Sequence, residues 1–403
     1  MFNDASVESF IGIQGFSTHQ IVGMGGVIKQ KPADFIVREI VPNGPIYDGS
    51  EIGEDIGGMY VHCALWKSGL DTLSAIKKLS DKLKIEEEDI GYAGLKDAFA
   101  ETYQRISIWN VNVKNVKAVN IPQIRLFHPI KQKFAIRIGD LIGNSFEIII
   151  RNIQNEWSIK TWRDFENHLE SNGLLNFFAP QRFGSKRPIL HFFGKYLLQE
   201  KYSEAIDMYL GQISPLEHNY ITQLRLQYQE TNSFNHLRLK FPKSYIIERI
   251  LLRGLERHRT AKSIILNLPK TFPRLAISAC QSFIFNKVLS RLNKDKIPLN
   301  ENILIPLPGY QSIKEEVNEI IWNRLLESLN SEKLDFKSFN HPHPNLRSKG
   351  SLRKAIMFPL CFKHSKMKDS QSTLKVSFSL PKGSYATVVT RELTKTEINL
   401  HTL

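Results

Sequence analysis

Residues 91–104 read GYAGLKDAFAETYQ, with Lys96 and Asp97 adjacent just after a glycine. An amphipathic helix would repeat its apolar residues at a period of about 3.6, and a half-buried strand at a period of about 2. This stretch shows neither period, which predicts a loop. Loops of this kind usually lie at the surface with their lysine and aspartate solvated, so a functional role for Asp97 depends on the rest of the chain.

The length and composition indicate an intracellular globular protein. A chain of 403 residues exceeds one ordinary hydrophobic core and predicts two domains. No apolar run approaches the roughly 18 residues of a membrane span, and the N-terminus lacks the basic and apolar regions of a secretion signal. The three cysteines, Cys63, Cys280 and Cys361, lie far apart without a C-x-x-C, which argues against a disulfide framework or a zinc site. We therefore expect a reducing, cytoplasmic location.

The charge is unevenly distributed along the chain. The net charge is +14, yet residues 1–100 contain 9 Lys and Arg against 15 Asp and Glu, so the excess lies in the remainder. Residues 336–368 form an acid-free segment rich in Lys and Arg. Clustered Lys and Arg attract phosphates and release counterions on contact, which favours a nucleic-acid partner. A solvated loop is the alternative, and no RNA-binding signature of the RNP type is present.

The first 190 residues predict mainly strands. Alternation predicts strands within 26–42, with Phe35, Val37 and Glu39 on one face, and within 59–67. Apolar residues on both sides of a Gly-Asn pair predict a hairpin within 134–153. Two helices are predicted, at 70–85 and at about 157–171. The apolar stripe of the first is Leu73, Ile76, Leu79 and Leu83, and its N-cap is Asp71 or Thr72.

The predicted secondary structure changes at about residue 190. Helical patterns dominate from there, and strand character returns only at 374–393. Strands first, helices in the middle and strands at the end predict an inserted domain. The expected division is a first catalytic segment at 1–190, an insertion at 191–365, and a second catalytic segment at 366–403.

Four stretches resist a packing explanation: residues 26–40, 92–104, 176–184 and 378–393. In this order they resemble the TruD family of tRNA pseudouridine synthases, in its archaeal and eukaryotic-type branch. The motif A-G-x-K-D is complete at 93–97, and N-x-F-x-x-Q-R-F-G is complete at 176–184. Two departures are Ala179, where the family usually has glycine, and Cys280, where an aromatic residue often precedes Gln281.

The resemblance implies an α+β fold. A pseudouridine-synthase catalytic domain with a mixed, mainly antiparallel sheet would be interrupted by a mostly helical α/β TRUD insertion, with an RNA-binding cleft between them. It implies isomerisation of uridine to pseudouridine in tRNA, most commonly at position 13, with other positions or RNAs open in this branch. The alternative is an RNA-binding protein that keeps the fold without the chemistry. No obligate protein partner and no membrane partner are inferred.

Pseudouridine formation breaks the N1–C1′ bond, turns the base and rejoins it through C5, so it needs no metal, nucleotide or redox cofactor. None of the P-loop, dinucleotide or metal-ligand patterns is found. His341 and His343, beside prolines, are interpreted as loop residues rather than as metal ligands. By resemblance, Asp97 is the essential carboxylate. It would add to C1′ as a nucleophile or act as a base at C2′.

The resemblance also suggests which cation pairs with the Asp97 carboxylate. Lys29 matches the position of the family's active-site lysine and is our predicted catalytic partner. Neighbours on an extended segment point oppositely, so Lys96 is left to phosphate contact or loop structure. Glu39, which ends its strand, would orient Lys29 or Arg182, or be a solvated strand end.

The remaining predicted site residues would hold the base and the backbone. Phe178 is the predicted stacking face for uracil, with a core phenylalanine as the alternative. Asn176 offers a donor and an acceptor to the uracil edge, or holds the Asp97 loop. Arg182 is predicted to clamp a phosphate or a carboxylate.

Overall fold

The computed structural model describes residues 7–42, 53–184, 186–230, 234–312, 314–367 and 372–396. Its strands are β1 (Phe35–Ile40), β2 (Tyr60–Ser68), β3 (Ile90–Tyr92), β4 (Glu101–Trp109), β5 (Ile124–Gln132), β6 (Gly143–Ile150), β7 (Leu174–Leu175), β8 (Leu304–Leu307), β9 (Ser351–Lys354), β10 (Ile356–Met357), β11 (Leu360–Lys366) and β12 (Leu374–Pro381).

The helices are α1 (Val7–Phe10), α2 (Thr72–Leu83), α3 (Val113–Lys117), α4 (Ile159–Ser171), α5 (Leu190–Leu198), α6 (Tyr202–Gly211), α7 (Asn219–Glu230), α8 (Phe234–Lys240), α9 (Ile246–Glu256), α10 (Ala261–Leu266), α11 (Thr271–Lys294), α12 (Glu319–Ser331) and α13 (Ala386–Thr394). Within these described ranges, no helix is both long enough and apolar enough to cross a membrane.

Eight of the described strands form one mixed, mainly antiparallel sheet. Its order is β11-β12-β6-β1-β4-β2-β5, and β3 pairs with β4 beyond the end of β1. The β1–β4 pair is parallel and the other pairs are antiparallel. The predicted α+β class is therefore confirmed, with the helices concentrated between residues 190 and 331.

Two strand pairs link residues 356–366 to other parts of the chain. The small strand β7, which precedes the 176–184 motif, pairs with β10 in a separate two-stranded sheet. Strand β11 pairs with β12, so the predicted boundary at 365/366 falls on the last residues of a strand of the large sheet. The division into 1–190, 191–365 and 366–403 stays a prediction.

The first half of the chain follows its local pattern closely. In β1 the residues Phe35, Val37 and Glu39 share the buried face, as their alternation predicts. Helix α2 begins where expected, because the Asp71 side chain accepts a hydrogen bond from the Ser74 amide.

Three local predictions are wrong. Residues 134–142 form no strand, so the predicted hairpin does not exist; Gly143 instead begins β6, which pairs with β1 and β12. Residues 386–393 lie in α13 rather than in a strand. All of α13 is buried, so tertiary packing outweighs the strand preference of its β-branched run. Leu73 is 51% exposed rather than part of the buried stripe.

Candidate active site

A cleft of about 500 Å³ opens where several elements of the large sheet meet. Its walls are the loop at 95–98, the start of α2, residues of β1 and β6, and the turn from β12 into α13. All four motif stretches contribute residues that line it, the 176–184 motif through Gln181. Stretches far apart in the sequence therefore converge on one site.

Asp97 lies on the wall of this cleft, in the loop between β3 and β4. Its side chain is 33% exposed, and the Lys29 Nζ lies 3.7 Å from its Oδ1. The Lys29 side chain is 1% exposed and its ammonium also lies 4.3 Å from the centre of the Phe35 ring. The structure therefore brings together the two residues that the sequence paired, an accessible carboxylate and a buried cation.

A further lysine holds the backbone of the same loop. The Lys67 Nζ donates hydrogen bonds to the carbonyl oxygens of Asp97 at 2.8 Å and of Leu70 at 2.6 Å. Burial lowers the pKa of Lys67 to about 8, and the charge of Asp97 opposes that shift. No feature of the local sequence distinguished Lys67, because it lies within an ordinary strand pattern.

Lys96 faces away from Asp97 into a buried polar cluster. Its Nζ lies 3.2 Å from the Glu39 Oε2 and donates to the Asn144 Oδ1 at 2.7 Å. Desolvation lowers the pKa of Lys96, and Glu39 opposes the shift. Of the two roles left open for Lys96, loop structure is the one that this geometry favours.

Glu39 departs from both of its predicted roles. It is 0% exposed, so it is not a solvated strand end. Its charged partners are Lys96 and Arg105, the latter at 3.5 Å, rather than Lys29 or Arg182. A buried carboxylate needs compensating charge, and here the adjacent lysine of the A-G-x-K-D motif provides it.

Arg353 of β9 binds the 176–184 motif, although the sequence did not single it out as a site residue. Arg353 donates from Nη2 to the main-chain oxygen of Asn176 at 3.0 Å and to its Oδ1 at 2.6 Å. Its Nη1 donates to the Gly383 oxygen at 2.9 Å. Burial lowers the pKa of Arg353 to about 10. These acceptors are all uncharged, so they do not neutralise the guanidinium.

Phe178 lies behind the cleft wall rather than on it. It is 6% exposed, and the Arg353 guanidinium carbon lies 4.0 Å from its ring centre. Tyr385 contacts the same ring edge-on at 6.0 Å and lines the cleft. Burial raises the pKa of Tyr385, which Arg182 and Arg353 oppose. Tyr385 belongs to the 378–393 stretch, and the sequence assigned it no catalytic role.

Arg182 and Asn176 both hold neighbouring elements. The Arg182 Nε donates to the Ser282 Oγ at 3.1 Å and its Nη2 donates to the Ser278 Oγ, both on α11. The Asn176 Nδ2 donates to the Lys354 oxygen at 3.0 Å. Because the partners of Arg182 are neutral hydroxyls, its positive charge is available to an anionic ligand.

The two histidines considered as metal ligands have structural partners. The His341 Nε2 and the Tyr202 hydroxyl are 2.8 Å apart, and the His341 Nδ1 accepts from the His343 amide at 2.9 Å. Across the part of the chain that the structure describes, no group of three or more His, Cys, Asp or Glu side chains could hold a metal ion.

Known proteins resemble this chain over nearly its whole length. The model of the family described as tRNA pseudouridine synthase D (TruD) matches residues 10–304 and 300–393. A protein of Methanococcus vannielii named "Probable tRNA pseudouridine synthase D" is 31% identical, over 92% of this chain and 95% of its own. One of the same name from Archaeoglobus fulgidus is 30% identical, over 98% and 100%. A crystal structure from Methanosarcina mazei, described as tRNA pseudouridine synthase D, superposes with a TM-score of 0.76 at 27% identity, covering 98% of each chain.

Proposed function

The chain belongs to the TruD family of tRNA pseudouridine synthases, and we propose that it isomerises uridine 13 of tRNA to pseudouridine with Asp97 acting at the ribose. The observation that carries the role of Asp97 is its position. It is a partly exposed carboxylate on the wall of the cleft where the motif stretches meet, with a buried lysine 3.7 Å away, whereas Asp71, which also lines the cleft, caps α2. The proposed place of action is the cytoplasm.

The proposed reaction needs a carboxylate that stays ionised beside the sugar. Asp97 would add to C1′, or would remove the C2′ proton; the position of its side chain suits either route. The N1–C1′ bond breaks and its electron pair leaves with the base. The base turns and C5 bonds to C1′; on the first route this breaks the Asp97–C1′ bond and releases the carboxylate, and on the second the proton returns to C2′. The C5 proton is then lost and N1 is protonated. Nothing is oxidised or reduced, so the isomerisation balances without a co-reactant. Lys29 would hold the charge of Asp97 at the cleft.

The base released from C1′ carries negative charge, and cations near the 176–184 motif suit it. Arg353 and Arg182 are bound through neutral acceptors and flank Phe178 at 4.0 and 5.6 Å from its ring centre. Fixed charges in a site that excludes water stabilise developing charge without reorganising. Stacking on Phe178 and edge contacts to Asn176 remain proposals. Because Phe178 is almost covered, a base would reach it only after neighbouring side chains shift.

The proposed substrate is tRNA, and the proposed second wall of its binding cleft is the insertion, residues 191–365. The basic segment 336–368 supports this, because Arg347, Lys349 and Lys354 are exposed within it. Arg353 is the exception, since it turns inward to Asn176. Lys96 and Glu39, which the motif positions would place among the substrate contacts, are better suited to fix the loop that carries Asp97.

The test is product formation on an unmodified tRNA transcript, mapped by carbodiimide-dependent primer extension. We expect pseudouridine at position 13 with the wild-type protein and none with Asp97→Ala. The matched control is Asp81→Ala, which removes an exposed aspartate of α2 outside the cleft and should retain full activity. Tight tRNA binding by the wild type without product would instead favour an RNA-binding protein without chemistry. Product at another position would refute the assignment to uridine 13.

A further inference from the structure

Two leucines on the rim of the cleft are exposed. Leu95 is 65% exposed and Leu73 is 51% exposed. Both line the same cleft as Asp97. Exposed apolar residues are common when scattered singly and need no explanation. Leu73 and Leu95 differ from such scattered residues, because both lie at the mouth of one cleft that holds an accessible carboxylate. They form an apolar surface beside the proposed reaction centre.

A buried hydrogen bond holds together the two segments that carry the leucines. The Lys96 amide donates to the Thr72 Oγ1 at 2.9 Å, and Leu95 and Leu73, the residues next to each partner, both line the cleft. Helix α2 packs on the sheet through other side chains, including Ala75, Ile76 and Leu79. Leu73 therefore contributes little to the core, although its spacing in α2 would have allowed it to pack there.

The chemistry of the site indicates which ligand Leu95 and Leu73 would contact. A carboxylate held in a cleft reaches the ribose of a structured RNA only when the target nucleotide leaves the base stack. The neighbouring bases then lose one stacking partner, and apolar side chains of the size of leucine commonly insert at such steps. We propose that Leu95, supported by Leu73, inserts into the stack as the target uridine leaves it and contacts the nucleobases on either side.

The charges around Leu95 favour an RNA partner at this rim. The Gly139 amide donates to the Ala93 oxygen at 2.8 Å, which holds the 137–142 loop against the loop that carries Leu95. Lys382 donates to the Gly139 oxygen at 3.2 Å and is exposed, as is Arg137. An apolar contact flanked by exposed cations fits bases flanked by phosphates. The proposal rests on the proposed function, because it needs a base that is turned out of the stack.

The test separates unstacking of the RNA from the chemical step. The tRNA transcript carries the fluorescent adenine analogue 2-aminopurine beside the uridine that product mapping identifies. Asp97→Asn holds the complex before reaction. In this background we expect binding to raise the fluorescence, and the added change Leu95→Ala to abolish the rise. In the catalytically intact chain, Leu95→Ala should lower the single-turnover rate by about tenfold or more, with the tRNA dissociation constant changed by less than about threefold.

Two control variants distinguish insertion of Leu95 from a general loss of folding or of RNA binding. Ile159→Ala removes an apolar side chain that is 81% exposed at the start of α4 and does not line the cleft, and it should change neither signal. Leu95→Met keeps a large apolar side chain and should restore both. Thermal unfolding should be unchanged, since Leu95 is largely exposed. Retention of the fluorescence rise by the Leu73→Ala and Leu95→Ala double variant would overturn the proposal, as would a slow rate with the rise intact. Absence of product with the wild type would instead count against the proposed function.

Discussion

Changing each of the two lysines near Asp97 to methionine is predicted to have a different effect. Lys96→Met should lower the stability of the fold, and Lys29→Met should lower the activity. Lys96 and Glu39 are 4% and 0% exposed at the side chain, and their charged atoms are 3.2 Å apart. At an effective dielectric constant of about 20, the attraction at this distance is about 5 kcal/mol. Breaking a buried ion pair costs about 3–5 kcal/mol. Because Arg105, 3.5 Å from Glu39, still compensates part of its charge, the cost here should lie near the lower end, about 3 kcal/mol. We expect Lys96→Met to lower the free energy of unfolding by that amount.

Lys29→Met is expected to leave the free energy of unfolding nearly unchanged and to remove most of the activity. Its partner Asp97 is one third exposed, so water solvates the carboxylate once the lysine is gone, and the change in stability should be under about 1 kcal/mol. Methionine keeps the aliphatic part of the side chain in place beside Phe35. The single-turnover rate should fall on the order of 100-fold, the usual cost of losing one charged or hydrogen-bonding group at a reacting centre.

Both quantities are measured on the same preparations. Guanidinium unfolding followed by tryptophan fluorescence gives stability, and primer extension with enzyme in excess gives the rate. The double variant Lys96→Met with Glu39→Gln is the control. It removes both charges and should regain at least about 1 kcal/mol relative to the sum of the single changes. The assignment of the two lysines is refuted if Lys29→Met retains turnover while Lys96→Met, still folded, loses it.

Three further predictions concern other parts of the chain. Arg225 is 0% exposed and donates to the Glu248 Oε1 at 2.9 Å and to both carboxylate oxygens of Glu217 at 2.7 Å. Because Glu217 still compensates Arg225, Glu248→Gln should cost about 3 kcal/mol or less in guanidinium unfolding. Burial lowers the pKa of His191 to about 3, so the unfolded chain binds a proton that the folded chain does not, and stability falls as pH drops from about 6.5 to 3. In acid unfolding curves, His191→Phe should reduce the pH dependence of the free energy of unfolding by up to about 1.4 kcal/mol per pH unit. Lys349→Gln should lower the salt slope of tRNA binding by about one, whereas the inward-facing Arg353→Gln should leave the slope unchanged and lower product formation.

The family and the broad fold could be predicted because they depend on local signals. The motifs at 93–97 and 176–184 lie in continuous stretches, and residue order alone identifies them. Strand alternation gave the buried face of β1, and the cap residue gave the start of α2. Where a segment is buried on all sides, as α13 is, periodicity no longer distinguishes a helix from a strand, and the prediction for 386–393 failed for that reason.

The candidate site was only partly predictable, because its contacts are long-range. Asp97 and Lys29 were found by their motif positions. Arg353 belongs to a basic segment that resembled a solvated surface, and nothing local showed that it reaches back 177 residues to Asn176. Tyr385 stood in a recognised motif, but only the three-dimensional arrangement shows that it lines the cleft while Phe178 lies behind it.

The sequence by itself determined the family, the α+β class and the identity of the carboxylate at the centre of the proposed reaction, because residue types at fixed spacing encode these. The tertiary structure decided which lysine faces Asp97, which one neutralises Glu39, and that Leu73 and Leu95 both line the cleft. Those choices depend on how β1, α2 and the 93–100 loop pack together. Adjacent residues point in opposite directions along an extended loop. Lys96, although next to Asp97 in sequence, therefore pairs with Glu39, and packing brings the distant Lys29 to Asp97.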